Sequence, residues 1–547
     1  GSLLDVVDVV CLTRTMKHLL AGLVLAISIS QAAAQSVALS GVVNGYAPVA
    51  DSDGIELSLG GFSGAITSLA CGDVVLVIQM KGAAYDNANG PGFGDVTSIG
   101  SAGRFEWAVV ESYSSATGDL ILRDSLQFAY TPLTAPVQLV AVPSADDAVV
   151  TAPLTAPAWD GQVGGIVALD VRDSLVLTAD IDVSGLGFRG FDDNPTSVAG
   201  VNESCVLGFV TGGCIGTDYA YPLNSSFGVR KGEGIADPLT GETNGRGHLA
   251  NAGGGGGIES GGGGGGGHGG AGGDAGGCNL NSCQCSCSGA GYENVAGIGG
   301  QGLAGVLGGP PRAFLGGAGG TGNNGNATAY YTMPNTTGLP GGGLVLIRAG
   351  TVVGNGNEIR ANGADGYVDN GSSSMFGTAG GGAGGGVYVD ADAIDALTLR
   401  ANGGRGSDTR AVGGGANRTR GAGGGGGGGV VWSGAGAVLT GLVTFQALGG
   451  VGGRSFNDGG AQPDWDGADG AIGVTRFDLE MPGTVPAPAT ITVLSAPSVA
   501  AACVGERPTY TVDVAESGLD YTWWTDAPVS FDTTGTDLDT FRADPAI

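Results

Sequence analysis

The sequence has few of the groups that carry chemistry in enzymes. Only three of its 547 residues are histidine, charged residues make up 13% of the chain, and aromatic residues make up 6%. It contains no Gly-x-Ser-x-Gly turn and no His-x-x-x-His pair. The composition therefore argues against hydrolytic triads and zinc-protease sites, and we expect that the protein is not an enzyme.

Basic residues are also scarce. Lysine and arginine number 22 against 51 aspartates and glutamates, so the formal net charge is −29 at pH 7. A chain of this charge repels phosphate backbones and anionic lipid surfaces. We therefore expect no nucleic-acid partner, whereas divalent cations and sugars remain candidates.

Long hydrophobic runs are absent after the first 34 residues. Residues 16–34, MKHLLAGLVLAISISQAAA, combine a basic start, an apolar core and small residues at Ala32 and Ala34. This pattern is typical of a secretory signal peptide rather than a membrane span. We assign residues 1–34 to a leader and expect a secreted, extracellular or cell-surface product with no transmembrane segment in its mature part.

Glycine is the abundant residue, with 113 copies, and it recurs with a regular spacing. Gly341, Gly384 and Gly427 each open a glycine triplet followed by an apolar strand, so the spacing is 43 residues. A second strand follows at Ile359, Leu399 and Phe445. An earlier copy begins at Gly165, and a partial one closes the series near Phe477. Repeats of this length indicate a solenoid, propeller or array.

These repeats predict an all-β fold. Because the strands are apolar on consecutive positions, both faces should be covered, which favours a parallel β-solenoid or a sandwich built from repeats. The glycine tracts, above all residues 251–278, have two interpretations. They form polyglycine II-type helices that pack laterally beside the solenoid, or they are disordered loops on an ordinary β scaffold.

The chain divides into modules. Residues 35–155 read as an N-terminal β domain of short strands, and residues 156–480 as the glycine-rich repeat domain. Residues 481–490 are a proline-rich linker, and residues 491–547 resemble the start of an immunoglobulin-like or PKD-like sandwich, with Cys503, Trp523 and Trp524. That module is too short for a complete sandwich, so we expect the natural protein to continue.

Eight of the nine cysteines follow the leader, and export predicts disulfides. Cys205 and Cys214 suit a local loop, whereas Cys71 and Cys503 lack an obvious local partner. The cluster after the glycine tract suits two bridges, and zinc is the alternative, disfavoured by spacing and compartment. Its members are Cys278, Cys283, Cys285 and Cys287.

Two ligand hypotheses follow from charged residues. Alignment of the repeats places Arg360 and Arg400 in one column with Asp182 and Gln446, so these arginines form a candidate cationic ladder for acidic glycans. The alternative is solvated charge on an outer face. A second column, Asp170, Arg348, Ala391 and Gly434, lacks the paired acids of a glycosidase.

Calcium is a candidate cofactor at two acidic clusters. One contains Asp464, Asp466 and Asp469, and the other contains Asp51 and Asp53. Alternating carboxylates beside a glycine supply oxygen ligands, although neither cluster has the twelfth-position glutamate of an EF-hand. The repeated Trp-Asp-Gly at residues 159–161 and 465–467 favours a structural turn instead.

The order of several segments resembles the N-terminal region of large cell-surface proteins of gliding bacteria. These segments are GDVVLVIQMKGAAYD, WDGQVGGIVALDV, GLGFRGF, GRGHLANAGGGGG and GGGGGGGHGGAGG. Those proteins are gliding-associated or adhesin-like, with PKD-like domains and a C-terminal sorting domain for type IX secretion; no sorting domain is visible here. The glycine tracts are also similar, more loosely, to the glycine-rich region of anaplastic lymphoma kinase-type receptors. The resemblance implies a structural or adhesive role at the cell surface and supplies no ligand.

We therefore expect a rigid glycine-rich β scaffold that presents a binding or self-assembly surface to extracellular polymers, cells or copies of itself. The alternatives are a carbohydrate-binding or carbohydrate-active β-helix protein and an ice-binding protein. A carbohydrate-active enzyme requires acids on neighbouring coils, and an ice-binding protein requires regular rows of threonine or small residues. Because stacked units leave open ends, filament formation is a further prediction.

Overall fold

The structure is a computed structural model and describes most of the chain after the leader. The described ranges are 36–191, 219–221, 228–257, 261–277, 296–307, 310–323, 336–369, 377–410, 420–457, 460–461 and 465–483, with four short strands beyond residue 497. No α-helix occurs in these ranges, which contain a short 3-10 helix at Ala304–Val306. The protein is therefore all-β, as the repeats predict.

An antiparallel sheet of seven strands fills most of the first part of the chain. The strands up to residue 155 are β1 (Val37–Val42), β2 (Gly45–Ser52), β3 (Glu56–Leu59), β4 (Ser63–Gly64), β5 (Val74–Gln79), β6 (Ala84–Tyr85), β7 (Val96–Ser98), β8 (Phe105–Tyr113), β9 (Asp119–Leu122), β10 (Val137–Val142) and β11 (Ser144–Thr155). The sheet has the order β10-β5-β8-β9-β3-β2-β4, and β10 also pairs with β2. It therefore closes on itself as a barrel, and β6 and β7 form a separate hairpin.

A 12-stranded parallel sheet forms the solenoid. Its later strands and their neighbours are β12 (Ile166–Leu177), β13 (Ile181–Asp182), β14 (Leu344–Val353), β15 (Glu358–Arg360), β16 (Gly386–Asp395), β17 (Thr398–Arg400), β18 (Thr409–Arg410), β19 (Val430–Gly434), β20 (Val438–Thr440), β21 (Thr444–Gln446), β22 (Ser455–Asn457), β23 (Gly460–Ala461) and β24 (Val474–Leu479). The order is β21-β17-β15-β13-β11-β12-β14-β16-β19-β24. Strands β1 and β11, which lie inside the predicted N-terminal domain 35–155, also belong to this sheet.

Each coil contributes one long strand, a turn and one short strand, as the repeats predict. Long strands stack on long strands in parallel register, and short strands stack on short strands. The glycine-rich excursion leaves after the short strand and returns before the next long one. Strands β18, β22 and β23 form a small sheet at the far end of such an excursion.

The observed register corrects the column containing Ala391. Leu344 pairs with Gly386, and Gly386 pairs with Val430, so the strand spacing is 42 and then 44 residues rather than 43. The third glycine of this triplet lies in the strand, where a Cβ would lie 2.3 Å from the Tyr388 ring and 2.7 Å from the Leu344 side chain. Arg348 consequently pairs with Asp390, not Ala391.

The hydrophobic core joins the barrel to one face of the parallel sheet. Tyr46 of the barrel donates its hydroxyl to the Ile166 carbonyl at 2.8 Å. Phe105 and Tyr388 meet edge to face at 6.3 Å. Trp432 stacks beside Tyr388 at 5.9 Å, and the Arg476 guanidinium covers the Trp432 ring at 4.3 Å. The barrel is therefore packed on the solenoid through a continuous aromatic contact.

Four strands of the last module are described. They are β25 (Ser498–Val499), β26 (Thr509–Thr511), β27 (Val529–Asp532) and β28 (Thr540–Pro545), paired antiparallel in the order β25-β26-β28-β27. Antiparallel pairing is the arrangement that the predicted sandwich requires. Cys503, Trp523 and Trp524 lie outside the described residues.

Candidate functional site: the glycine bundle and its edges

Residues 261–267 are the centre of a bundle of extended glycine segments. Their N–H groups donate in three directions that repeat every three residues. Gly262 and Gly265 donate to residues 273–276, and Gly263 and Gly266 donate to residues 378–381. Gly264 and Gly267 donate to residues 251–254. A three-residue period is that of a polyproline II-type helix, which has no hydrogen bonds of its own.

The carbonyl groups of the same segment accept from three further segments. Residues 297–303, 317–323 and 424–427 donate to carbonyls between Gly261 and His268. Among the described residues, the central segment is thus hydrogen-bonded to six neighbours, some parallel to it and some antiparallel. This lateral bonding satisfies backbone groups that would otherwise be buried without partners. It is the polyglycine II-type arrangement, so the interpretation of these described tracts as disordered loops is wrong.

Glycine is required in the bundle by space. None of the glycines between 253 and 277 that the structure describes has a positive φ, so an L-residue could adopt their backbone conformation. A Cβ on Gly263, Gly264 or Gly265 would nevertheless lie 2.1, 2.2 and 2.0 Å from a neighbouring carbonyl oxygen. The segments approach so closely that no side chain fits between them.

Two histidines lie inside or beside the bundle. His268 is fully buried and meets Phe314 edge to face at 6.2 Å. Burial lowers its pKa to about 4. Neither ring nitrogen has a partner in hydrogen-bonding geometry, although the carbonyls of Gly384 and Gly385 lie near the ring. His268 is therefore a neutral packing group at pH 7.

His248 packs at the edge where the barrel loops meet the bundle. Its Nδ1 lies 3.0 Å from the Gly299 carbonyl, and its Nε2 lies 3.2 Å from the Asp95 carboxylate. Burial lowers the pKa of His248 and outweighs these two contacts, which act in the opposite direction. The side chain thus bridges two chain segments.

The outer glycine segments carry a side chain that points away from the bundle at every third residue. Asn362 accepts the N–H of Asn402 at 2.8 Å, and Asn402 accepts that of Leu448 at 2.8 Å. Three residues further on, Asp365 accepts the N–H of Arg405 at 2.8 Å. These side chains provide acceptors for N–H groups that have no further glycine segment beside them. We call this row the amide ladder.

The structure brings Arg360 and Arg400 together in adjacent coils, in the predicted column with Asp182 and Gln446. Arg360 contacts Asp180, Asp182 and Glu358 at 3.0–3.2 Å. Arg400 contacts Glu358 at 3.0 Å. The arginines therefore form a ladder whose positive charge is compensated by the carboxylates around it.

The corrected column contains two acids on either side of one arginine. Arg348 contacts Asp170 at 3.6 Å and pairs with Asp390 on the next strand. Asp170 is buried and also accepts the Ser144 hydroxyl at 3.1 Å. Burial raises the pKa of Asp390, whose carboxylate accepts the Met481 N–H at 3.4 Å. Both acids are engaged in contacts that hold the sheet and the following segment in place.

The proposed calcium ligands are used within the fold. Asp466 accepts the Ser455 N–H at 2.6 Å, and Asp469 accepts the Gly452 N–H at 2.7 Å. Asp464 lies outside the described residues. At the other cluster, Asp51 and Asp53 accept nearby backbone N–H groups at 2.9 and 3.2 Å. In the part of the chain that the structure describes, no three metal-ligating side chains are grouped to hold an ion.

The predicted disulfide cysteines cannot be placed. All six of them, Cys205, Cys214, Cys278, Cys283, Cys285 and Cys287, lie outside the described residues. Cys71 is described, and its thiol is free and exposed. The pairing of the six therefore stays a prediction.

An ion cluster centred on buried Glu233 and Lys81, with half-exposed Arg189 and Asp237 at its edge, is not visible in the sequence. Glu233 contacts Lys81 at 2.8 Å and Arg189 at 2.9 Å, and Lys81 also contacts Asp237 at 2.7 Å. Burial would raise the pKa of Glu233, but Lys81 and Arg189 outweigh it and lower that pKa to about 2. These residues lie in three separate segments, so only the fold reveals the cluster.

Comparisons with known proteins add little to this description. No family model matches the sequence, and no curated protein matches it. Among solved structures, the chain is similar to the tailspike protein gp49 from Pseudomonas phage LKA1, at 9% identity and a TM-score of 0.12, over 93% of this chain and 79% of that chain. A likeness of this size carries no argument about function. Within the described ranges, no helix has the length and apolar character to cross a membrane.

Proposed function

We propose that the protein is a secreted structural or adhesive protein of the cell surface, in which the glycine bundle stiffens a β-solenoid that presents an outer surface. The observation that carries the proposal is the bonding of residues 261–267 to six neighbouring segments. A bundle held by backbone bonds in every lateral direction resists bending and shear. A stiff solenoid of this kind can hold its outer surface in a fixed shape while that surface contacts a partner.

The signal-peptide pattern at residues 16–34 and the resemblance to adhesin-like surface proteins of gliding bacteria support the same function. The regular outward side chains of the amide ladder provide a repeating polar surface along successive coils. Repeating surfaces of stacked units are used by solenoid proteins to contact extended partners.

The test compares adhesion of beads that carry the purified chain with adhesion of beads that carry a Gly264→Ala, Gly266→Ala variant, which disrupts the bundle. Gly305→Ala is the matched control, because a Cβ there has no atom within 4 Å. We expect the unsubstituted chain and the control to hold on polysaccharide-coated or cell-coated surfaces under flow, and the double variant to detach. Equal retention of all three, at the level of uncoated beads, would refute the adhesive role.

Export is tested separately. Deletion of Met16–Ala34 should retain the chain inside cells that otherwise release it or display it on their surface. Protease added to intact cells should then degrade the displayed chain and leave the deletion variant untouched. Similar protease sensitivity of the two would contradict secretion through this segment.

Carbohydrate binding through the arginine column remains the second candidate. The observation in its favour is the register of Arg360 with Arg400 on adjacent coils. Because both arginines already contact carboxylates, an acidic glycan would have to displace Glu358 from them. We therefore rank this function below the structural one.

A further inference from the structure

Two arginines lie beside each other where a loop of the barrel meets a glycine-rich excursion of the solenoid. The guanidinium of Arg312 donates to the carbonyl of Ala102 and, at 3.1 Å, to that of Gly100. The guanidinium of Arg104 contacts the hydroxyl of Ser101, between those two residues, at 3.5 Å. Three consecutive loop residues thus bring both positive charges together. We call Arg104 and Arg312 the arginine pair.

The arginine pair is unusual in having no acidic partner. Most arginines of the described ranges contact a carboxylate, as Arg123, Arg172 and Arg189 do. Neither member of the pair has such a contact among the residues that the structure describes. In a chain with 51 acidic and 22 basic residues, two adjacent cations without a carboxylate are an exception.

The acid closest in sequence to the pair is already engaged. Glu106 is buried, and its carboxylate accepts the N–H groups of Gln127 and Phe128 at 2.7 and 3.0 Å. Burial, and after it the charge of Arg104, lower the pKa of Arg312. Because like charges repel, an anion beside both guanidinium groups would be held by two attractions that no side chain described there supplies.

The pair also has N–H groups to spare. Each guanidinium carries five N–H donors. The acceptors of Arg104 are Ser101 and, at 3.1 Å, the Ala129 carbonyl, and those of Arg312 are the two carbonyls named above. No nitrogen of either guanidinium is buried without a partner, so the unbonded donors face water. The planar fork of a guanidinium matches the two oxygens of a carboxylate.

Both arginines are held in place through their backbone. The Arg104 carbonyl accepts the N–H of Gln79, the last residue of β5, at 2.9 Å. The Arg312 carbonyl accepts the hydroxyl of Tyr388, in β16, at 3.0 Å. One arginine is therefore fixed to the barrel and the other to the solenoid. A site that is fixed before its ligand arrives loses less conformational entropy on binding.

Groups that can contact a sugar ring lie at the same end of the barrel, where β5 ends and β8 and β10 begin. Thr131 is exposed and bonds through its N–H and its hydroxyl to the Gln79 side chain, both at 2.9 Å. Leu133, in the turn that follows, is 83% exposed. Ligand sites on rigid scaffolds are commonly built from such loops, with a few polar groups and an apolar contact.

We propose that the arginine pair binds the carboxylate of an acidic sugar. The formal charge of −29 opposes a dense polyanion, so isolated carboxylates on an otherwise neutral glycan suit this site better than a nucleic acid. Arg360 and Arg400 are compensated by carboxylates, whereas the pair is not. The proposal goes beyond the structural role, and only the extracellular origin of the sugar rests on the proposed export.

The test titrates the purified full chain with glucuronate, and with glucose and acetate as probes that lack the charge or the ring. We expect glucuronate to bind more tightly than either, and to bind more weakly as salt is added. Arg104→Gln and Arg312→Gln should each weaken glucuronate binding by at least about tenfold, since hydrogen bonds to a charged group contribute this much. Arg123→Gln is the matched control, because Arg123 lies on the same barrel but contacts Glu111 at 3.8 Å.

Arg312→Lys keeps the positive charge and should bind glucuronate more tightly than Arg312→Gln does. Melting temperatures of all variants separate loss of the site from loss of the fold. Equal affinity for glucuronate and glucose, equal affinity for glucuronate and acetate, or unchanged glucuronate binding in both glutamine variants would each overturn the proposal. Glucuronate binding in solution and retention of beads under flow are measured independently, so this proposal and the structural one fail separately.

Discussion

The backbone N–H of Gly264 donates to the carbonyl oxygen of Gly254 at 2.9 Å, across two segments that run in opposite directions. On its other side, a Cβ at Gly264 would lie 2.2 Å from the Ile298 carbonyl oxygen. The residue is thus fixed between backbone groups, which cannot move aside as a flexible side chain can.

Gly264→Ala should therefore destabilise the protein strongly. The added methyl group must displace backbone, and we expect a loss of about 3 kcal/mol in the free energy of unfolding, at the upper end for overpacked sites. Urea denaturation followed by circular dichroism measures it. Gly305→Ala is the control and should change stability by less than about 1 kcal/mol. Equal effects of the two substitutions would contradict close packing at Gly264.

Stability should fall as the pH drops from about 6.5 towards 4. The folded state holds the pKa of His268 at about 4 against an ordinary 6.5, so between these values the unfolded chain binds more protons. The contribution reaches about 3 kcal/mol and levels off below pH 4. Denaturation midpoints at pH 7.5, 5.5 and 4.5 should show a smaller fall in His268→Gln. An identical pH profile in both proteins would show that His268 does not titrate in this way.

Glu233→Gln should leave Lys81 and Arg189 without their shared carboxylate. Breaking a buried ion pair on one side costs about 3 kcal/mol. Because the folded pKa of Glu233 is about 2 against an ordinary 4.5, its contribution is present above pH 4.5 and is lost as the pH falls towards 2. The variant and the unsubstituted chain should thus differ at pH 7 and converge near pH 2. A constant difference across this range would argue against the charged pair.

Asp469→Ala should lower stability by about 1 kcal/mol, because the Gly452 N–H loses its acceptor. We expect the same loss in chelator and in about 1 mM calcium, the range of extracellular calcium modules. Melting temperatures measured in chelator and in calcium give this loss of stability. Asp173→Ala is the control, because Asp173 is exposed. A calcium-dependent rise that the variant abolishes would restore the calcium hypothesis.

The double substitution Arg360→Ser, Arg400→Ser should leave polyuronate binding unchanged. The charge of these arginines is compensated by Asp180, Asp182 and Glu358, so little attraction for an acidic glycan remains. Stability should fall by about 1 kcal/mol for each of these partly exposed ion pairs, the upper end for surface pairs. Binding measured by calorimetry or sedimentation decides the matter. A clear loss of binding in the variant would favour the carbohydrate hypothesis.

The local spacing of residues predicts much of the solenoid. Ile359, Leu399 and Phe445 lie in register as the repeats indicate, because each coil must place an apolar residue above the previous one. The glycine tracts also predict lateral packing, since a three-residue period with no side chains permits it. These features depend on nearby residues and are therefore visible in the sequence.

Features that depend on distant residues were missed or misplaced. The pairing of Arg348 with Asp390 follows from the register of Leu344 with Gly386, which places β16 one residue away from the position that the glycine triplets indicate. The contact of Lys81 with Glu233 joins the barrel to the bundle across many intervening residues. Glu358 contacts both Arg360 and Arg400, although it precedes the arginine column by two residues. Pattern alone cannot fix such contacts, because they arise when separate modules pack.

The central glycine segment has a consequence for how the protein resists proteolysis. A protease must draw several residues of extended chain into its cleft and usually recognises side chains there. Residues 261–267 offer only glycine, and to be drawn out they would have to part from six neighbours at once. Digestion should therefore begin elsewhere and spare this segment until the whole bundle has opened.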